Sequence, residues 1–446
     1  MTAMRGKTAS RGLAALCGVL ALAGCEQEFM LPGERQDLRD MPSQSAVVDT
    51  TPDAAQPISL PPATRNATWT QKAGGPTHDM GHPALSSAPQ LIWSARIGEG
   101  DGRRHRITAD PVTDGARIYT VDSRARVMAH DTSGRAVWSA DLTRPGDNSG
   151  DASGAGLAVA DGTLYAATAF GQVVALVAAT GRRLWVQEIE AAAAGSPTVA
   201  GGKVYVVARD ARVWALDPAD GRVDWTLAGT PSQAGVVGGA GPAVAPGMAV
   251  VPFSSAEMVG VLPESGLERW TGNVAGRRLG EVYARISDIS GDPVISGTTV
   301  YAGSPSGRTA AFDLDSGDML WSAREGAMSP VAVAGGSVFA VTDKAQLVRL
   351  DAATGQRIWG ADLPIEPPER RFLPRRRDAV YAHYGPILAG GRLWVASSDG
   401  ALRGFDPASG ALVAQADLPG GATTNAAVAN GTLYVVSADG TLLAFR

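Results

Sequence analysis

One short pattern recurs along most of this 446-residue chain, and the recurrence limits the possible folds more than any other feature. A glycine-led strand ending in an aromatic residue or valine occurs eight times. The copies are DGARIY (114–119), DGTLY (161–165), GGKVY (201–205), PGMAV (246–250), SGTTVY (296–301), GGSVF (335–339), GGRLW (390–394) and NGTLY (430–434). Intervals near 40–50 residues, filled with strand-like units, are the mark of a propeller with one four-stranded sheet per repeat. The 55 glycines fit this reading, because frequent turns between short apolar runs demand them.

A second pattern interleaves with the first. An apolar strand ends in Asp, a turn closes on Gly, and the next strand carries Trp, as in VWALDPADGRVDWTL (213–227), AAFDLDSGDMLWSA (310–323) and LVRLDAATGQRIWGADL (347–363). Its tryptophans are Trp138, Trp185, Trp225, Trp270, Trp321 and Trp359, and its turn glycines include Gly181, Gly221, Gly317, Gly355 and Gly410. Asp caps the turn through its side chain and Gly supplies the positive φ. Each blade must pack on the next, so one bulky residue is needed at the same place in every interface. A Trp buries roughly 150–250 Å² there while its N–H reaches a backbone acceptor. The seventh copy, FDPASGALVAQADL, has Ala414 in place of Trp and should make a weaker interface.

The last copy, GTLYVVSADGTLLAFR, stops at Arg446 before any Trp strand, whereas PQLIWSARIG (89–98) is a Trp strand with no partner before it. Pairing the two closes a ring: residues 91–97 complete the eighth blade and remove an edge open to aggregation. The expected fold is all-β, an eight-bladed propeller of four antiparallel strands per blade.

The N-terminus reads as a targeting segment. Arg5, Lys7 and Arg11 precede an apolar run over residues 12–23, too short to span a bilayer and of the length of a signal core. The run ends in Leu22-Ala23-Gly24-Cys25, which resembles the lipobox of bacterial lipoproteins. That resemblance implies removal of residues 1–24, acylation of Cys25, and, with Glu26 next, a place on the periplasmic face of the outer membrane. Several acyl chains give stable anchoring where one is marginal. Residues 25–66, rich in Pro, Ser, Thr, Asp and Gln, read as a flexible tether with a reach on the order of 35 Å. The propeller is expected over 67–446, with WTQKAGGPTHDMGHP (69–83) packed along its outside.

The spacing A-x-D-x-x-x-G-x-x-x-W, as in ALDPADGRVDW (215–225), resembles the tryptophan-docking repeat of the pyrroloquinoline-quinone (PQQ) propeller superfamily, over essentially all of 89–446. Such a match specifies a fold strongly and a function weakly. Quinoprotein dehydrogenases of this superfamily hold the quinone with Ca²⁺ on the axis. Here the only Cys residues are Cys17 and Cys25, and the loop acids Asp288, Asp292 and Asp378 form no recognisable ligand set. The lipobox, the eight repeats and the length are more similar to the BamB family, non-enzymatic lipoproteins of the β-barrel assembly (BAM) machinery. That likeness implies no cofactor, no metal and no small-molecule substrate. It also implies binding to the periplasmic POTRA domains of the barrel-inserting subunit. The family's contact stretch matches Arg285, Ile286, Ser287 and Asp288 within RRLGEVYARISDISGDPVISGTTVY (277–301), with Ser290 where a second Asp is common. A neighbouring family loop corresponds to Ala234-Gly235-Val236-Val237, which lacks the family's Arg. The alternative is a periplasmic PQQ-dependent enzyme.

The remaining features carry less. The net charge of −5 gives no sign of a nucleic-acid partner. RRFLPRRRDAVY (370–381) and the loop with Arg103, Arg104 and Arg106 read as solvated insertions or as contacts for an acidic partner. His78 and His82 are four apart, but Gly81 and Pro83 argue against a helix that would pair them on a metal. No Walker loop, nucleophile elbow or H-E-x-x-H motif is present.

Overall fold

The computed structural model describes residues 53–232, 235, 238–276, 286, 288–366 and 380–446. Among these are 32 strands in eight four-stranded antiparallel sheets. Blades 1 to 7 are meanders that take their strands in chain order, over 112–141, 155–188, 198–228, 243–273, 291–323, 332–362 and 383–417. Blade 8 is made from both ends: Leu91–Arg96 lies beside Thr441–Phe445, followed by Thr432–Ser437 and Ala427–Ala429. Trp93 is opposite Ala444 and Ala95 opposite Leu442. Gln90 and Arg446 exchange two backbone hydrogen bonds of 2.8 and 2.9 Å, and the inner strands of blades 1 and 8 touch. The ring is therefore closed as the sequence implies.

Burial follows position in the blade. In blade 2 the second strand, Thr163–Thr168, is almost wholly buried, whereas the outermost, Arg183–Glu188, exposes every second residue. Inner strands are covered on both faces by neighbouring blades and so read as near-continuous apolar runs. Outer strands lie where the blades splay apart and need only alternate.

The tryptophans make the joints. The indole N–H donates to a backbone carbonyl in the turn of the following blade at seven interfaces. Trp93 reaches Thr132, Trp138 Ala178, Trp185 Pro218, Trp225 Pro263, Trp270 Leu314, Trp321 Ala352 and Trp359 Pro407, all at 2.8–3.1 Å. Beneath each indole sits the turn glycine, Gly134, Gly181, Gly221, Gly266, Gly317, Gly355 or Gly410, where a Cβ would fall within 3.0 Å of the Trp. The eighth joint differs for a topological reason. In blade 8 the third and fourth strands, Thr441–Phe445 and Leu91–Arg96, are not consecutive in sequence, so the described residues offer no such turn for an indole at Ala414 to dock on. Instead Trp394, at the position of Tyr165 in blade 2, fills the space over Gly404 toward Ala414. A cavity of about 190 Å³ lined by Pro89, Trp394 and Ala414 marks the seam.

Residues 53–90 correct two expectations. They lie across the hub rather than along the outside, and the part packed on the ring begins at Asp53 rather than at residue 67. This strap bonds to all eight blades. Asp53 pairs with Arg357 at 2.9 Å, Gln56 bonds Ala408 and accepts from the buried Arg349, and Asn66 accepts from Asn430. Trp69 and Thr113 exchange backbone bonds, Thr70 accepts from Val159, and the Gln71 side chain bonds Val199 both ways. Pro76 accepts from Val244, Thr77 from Ile295 and Pro83 from Gly390. Most of these are backbone bonds, which need no particular side chain.

Candidate partner-binding face

In a four-stranded meander the connections 1–2 and 3–4 share one face. The 2–3 turns and the loops between blades share the other. The strap bonds near the 1–2 turns, at Gly390 and Asn430 for example, so it covers the turn face. The interblade loops are left on the opposite face, and the described ones among the sequence-expected contact residues, Ile286, Asp288, Arg103, Arg104 and Arg106, belong to them.

Asp288 lies in the loop between blades 4 and 5 and is 6% exposed. Its Oδ2 and the Nη1 of Arg209 both lie 3.1 Å from where a Cβ on Gly235 would stand, so three loops meet there. A carboxylate this buried anchors its loop and offers little surface to a partner. Ile286 is half-buried, and Ser290 is buried with its hydroxyl donating to the Ala327 carbonyl at 2.7 Å. Arg285, Ser287, Cys25 and Asp378, like the whole arginine-rich stretch 370–377, lie outside the described residues. Arg103, Arg104 and Arg106 are exposed on the loop between blades 8 and 1, and Arg106 pairs with Asp101 at 3.3 Å.

The hub holds a charged cluster that sequence reasoning missed. Lys72, in a tight 3₁₀ turn (Lys72–Gly74), is buried with its Nζ 2.7 Å from Asp292. Burial works to lower its pKa, but the charges of Asp292 and then Asp110 outweigh that and raise it. Asp110 is pushed up to about 6 by burial, against the pull of Lys72 and of hydrogen bonds from Asn425. Burial also lowers the pKa of His78, whose Nδ1 sits 2.9 Å from the Pro293 carbonyl. A carbonyl can only accept, so Nδ1 carries the proton. His82 bonds the Pro61 carbonyl and the Gly391 N–H, so the two histidines serve separate backbone contacts rather than one ion. With Lys72 in place, the depression among Thr108, Ser153, Gly195, Ser196, Arg209 and Gly238 is about 30 Å³. Ligand sites are typically ten times larger or more, roughly 300–1,000 Å³.

Eight blades, joined by docked indoles at seven of their eight interfaces and closed by an N-terminal strand, define a propeller of the PQQ-repeat class. Within that class residues 123–361 and 375–446 match the family described as outer membrane protein assembly factor BamB, and the chain belongs to that family. A relative of that description from Yersinia pestis is 26% identical over 80% of this chain and 89% of its own length. The crystal structure of BamB from Moraxella catarrhalis superposes with a TM-score of 0.66 at 19% identity, covering 80% of this chain and all of that one. Quinohemoprotein alcohol dehydrogenase from Comamonas testosteroni gives a TM-score of 0.62 at 16% identity over 86% of this chain and 81% of its own. The fold is thus shared with enzymes. Family membership separates the two branches, and this one is a family of non-enzymatic assembly factors.

Proposed function

We propose that this chain is a scaffold of the machinery that assembles β-barrel proteins into the outer membrane, and that its loop face holds the POTRA domains of the barrel-inserting subunit. Membership of the assembly-factor family carries this reading. Acylated Cys25 tethers the ring to the periplasmic face of that membrane. Arg285, Ile286 and Ser287 provide the contact, with Asp288 holding their loop from below. A rigid loop that presents a guanidinium fixes register on an acidic partner through charge-assisted bonds.

Affinity purification from solubilised envelopes tests this. The wild type should bring down the barrel-inserting subunit, Arg285→Glu should weaken the capture, and Cys25→Ala should release the protein from the membrane fraction. Full capture by Arg285→Glu would reject this loop as the contact. No capture by the wild type would reject the assembly role.

A further inference from the structure

We infer that Lys72 is a positioning residue, which reaches from the turn face through the hub and, by way of Asp292, fixes the loop between blades 3 and 4 on the partner-binding face. The inference rests on the loop-face reading above.

Asp292 is where the two sides meet. Its side chain is 0% exposed, and it sits at the loop-face end of the first strand of blade 5, Gly291–Ser296, directly after the 286–290 stretch. One carboxylate oxygen takes the Lys72 ammonium at 2.7 Å, and the other accepts the backbone N–H of Gly241. Gly241 is packed hard, since a Cβ there would stand 2.5 Å from the Ser196 carbonyl. Next to it the Pro242 carbonyl accepts from the Thr198 hydroxyl at 2.6 Å. The lysine is held as firmly from below. On its N-terminal side Trp69, Thr70 and Gln71 are bonded to blades 1, 2 and 3, and on its C-terminal side Ala73 and Gly74 turn the chain with φ of 52° and 98°. Strap, hub and loop are therefore one chain of contacts.

Charge makes the connection directional. With Lys72 in place, the Asp292 carboxylate faces a cation at 2.7 Å and stays turned inward. Without it the fully buried Asp292 side chain loses that cation and is left in a cluster with Asp110 and His78. Burying an unpaired charge is costly, so the carboxylate must take a proton or turn away. Either change weakens its bond to Gly241 and frees the loop. Asn at 292 would keep an oxygen for that N–H without needing the lysine.

Lys72→Met, which keeps the stem and removes the charge, is compared with the double variant Lys72→Met/Asp292→Asn. Two readouts are taken on each: hydrogen exchange across 238–242, and affinity for the purified POTRA region. The single variant should exchange roughly tenfold faster in that loop and bind roughly tenfold more weakly, with the outer strands of blades 1 and 6 unaffected. The double variant should recover both. Unchanged loop exchange in a folded single variant would overturn the inference, as would a double variant that recovers neither readout. If the single variant does not fold, a folded and binding-competent double variant supports the charge argument. Failure of both to fold makes Lys72 a requirement of the whole ring and overturns it. A wild type that fails to bind defeats the loop-face reading alone, because the exchange measurement still judges Lys72.

Discussion

Trp185 of blade 2 lies flat on Gly221 of blade 3, with its N–H donating to Pro218 at 2.9 Å and no room between ring and backbone for a Cβ. Glycine is needed there twice over, once for its φ of 78° and once for the indole. Gly431 isolates the first need, because its φ is 71° and nothing stands within 4 Å of where a Cβ would be. Gly431→Ala should cost about 1 kcal/mol, the usual penalty for an L side chain in the left-handed region. Gly221→Ala should cost a further 1–3 kcal/mol or so from overpacking. Denaturant unfolding of the two variants measures the difference. Equal costs would mean that docking demands nothing of the glycine beyond its backbone angle.

The seam between blades 7 and 8 offers a second test. In six blades a Tyr or Phe on the second strand meets the docked Trp of the fourth at ring distances of 5.9–6.1 Å, as Tyr165 meets Trp185. In blade 7 the bulk has moved to Trp394, with Ala414 opposite. Trp394→Tyr should open a void and cost roughly 1–2 kcal/mol. Ala414→Trp alone should be destabilising, because Trp394 already reaches over that space. Together they rebuild the pair found in blade 2, so the double variant should be at least about 1 kcal/mol better than the sum of the singles. Additive effects would show that the two positions do not share the space.

Much of this fold was legible in the sequence because its determinants are local. Gly221, Trp185 and the Asp217 turn are repeat features, and the orphan Trp93 strand pointed to the closure that its pairing with Ala444 completes. The strap was not legible. WTQKAGGPTHDMGHP shows neither strand nor helix period, and many of its contacts are made by backbone groups that any sequence provides. Lys72 is a lone lysine among glycines, and the cluster around it, Asp292, Asp110 and the Asn425 bonded to Asp110, is drawn from three different blades' approaches. Asp288 shows the same limit from the other side. A loop aspartate reads alike whether it faces a partner or pins its own loop, and only burial distinguishes the two.

Truncation tests what the strap contributes. A chain beginning at Thr68 keeps the hub residues and the closing strand but loses the bonds of 53–67 to blades 6, 7 and 8. Arg349, 4% exposed, would lose the Gln56 carbonyl that its guanidinium meets at 2.7 Å, leaving a buried cation short of an acceptor. A fall in melting temperature of roughly several degrees is expected relative to a chain beginning at Pro52. An unchanged melt would make residues 53–67 passengers on the ring.

Asp110 gives the ring a pH dependence whose sign is opposite to that of most carboxylates. Burial pushes its carboxyl from 3.8 up to about 6, so between these values the folded chain keeps a proton that the unfolded chain has lost. Protons then favour the folded state, and this residue makes the protein more stable at pH 5 than at pH 7, by roughly 1–1.5 kcal/mol. His78 works the other way, since burial lowers its pKa and the unfolded ring gains a proton below about 6.5 that the folded one refuses. Comparing the wild type with Asp110→Asn removes His78 from the difference and keeps an oxygen facing the Asn425 N–H. Relative to the wild type, the variant should gain stability as pH rises from 5 to 7, read from urea midpoints at each pH. A difference that stays flat across that interval would mean that Asp110 is ionised throughout.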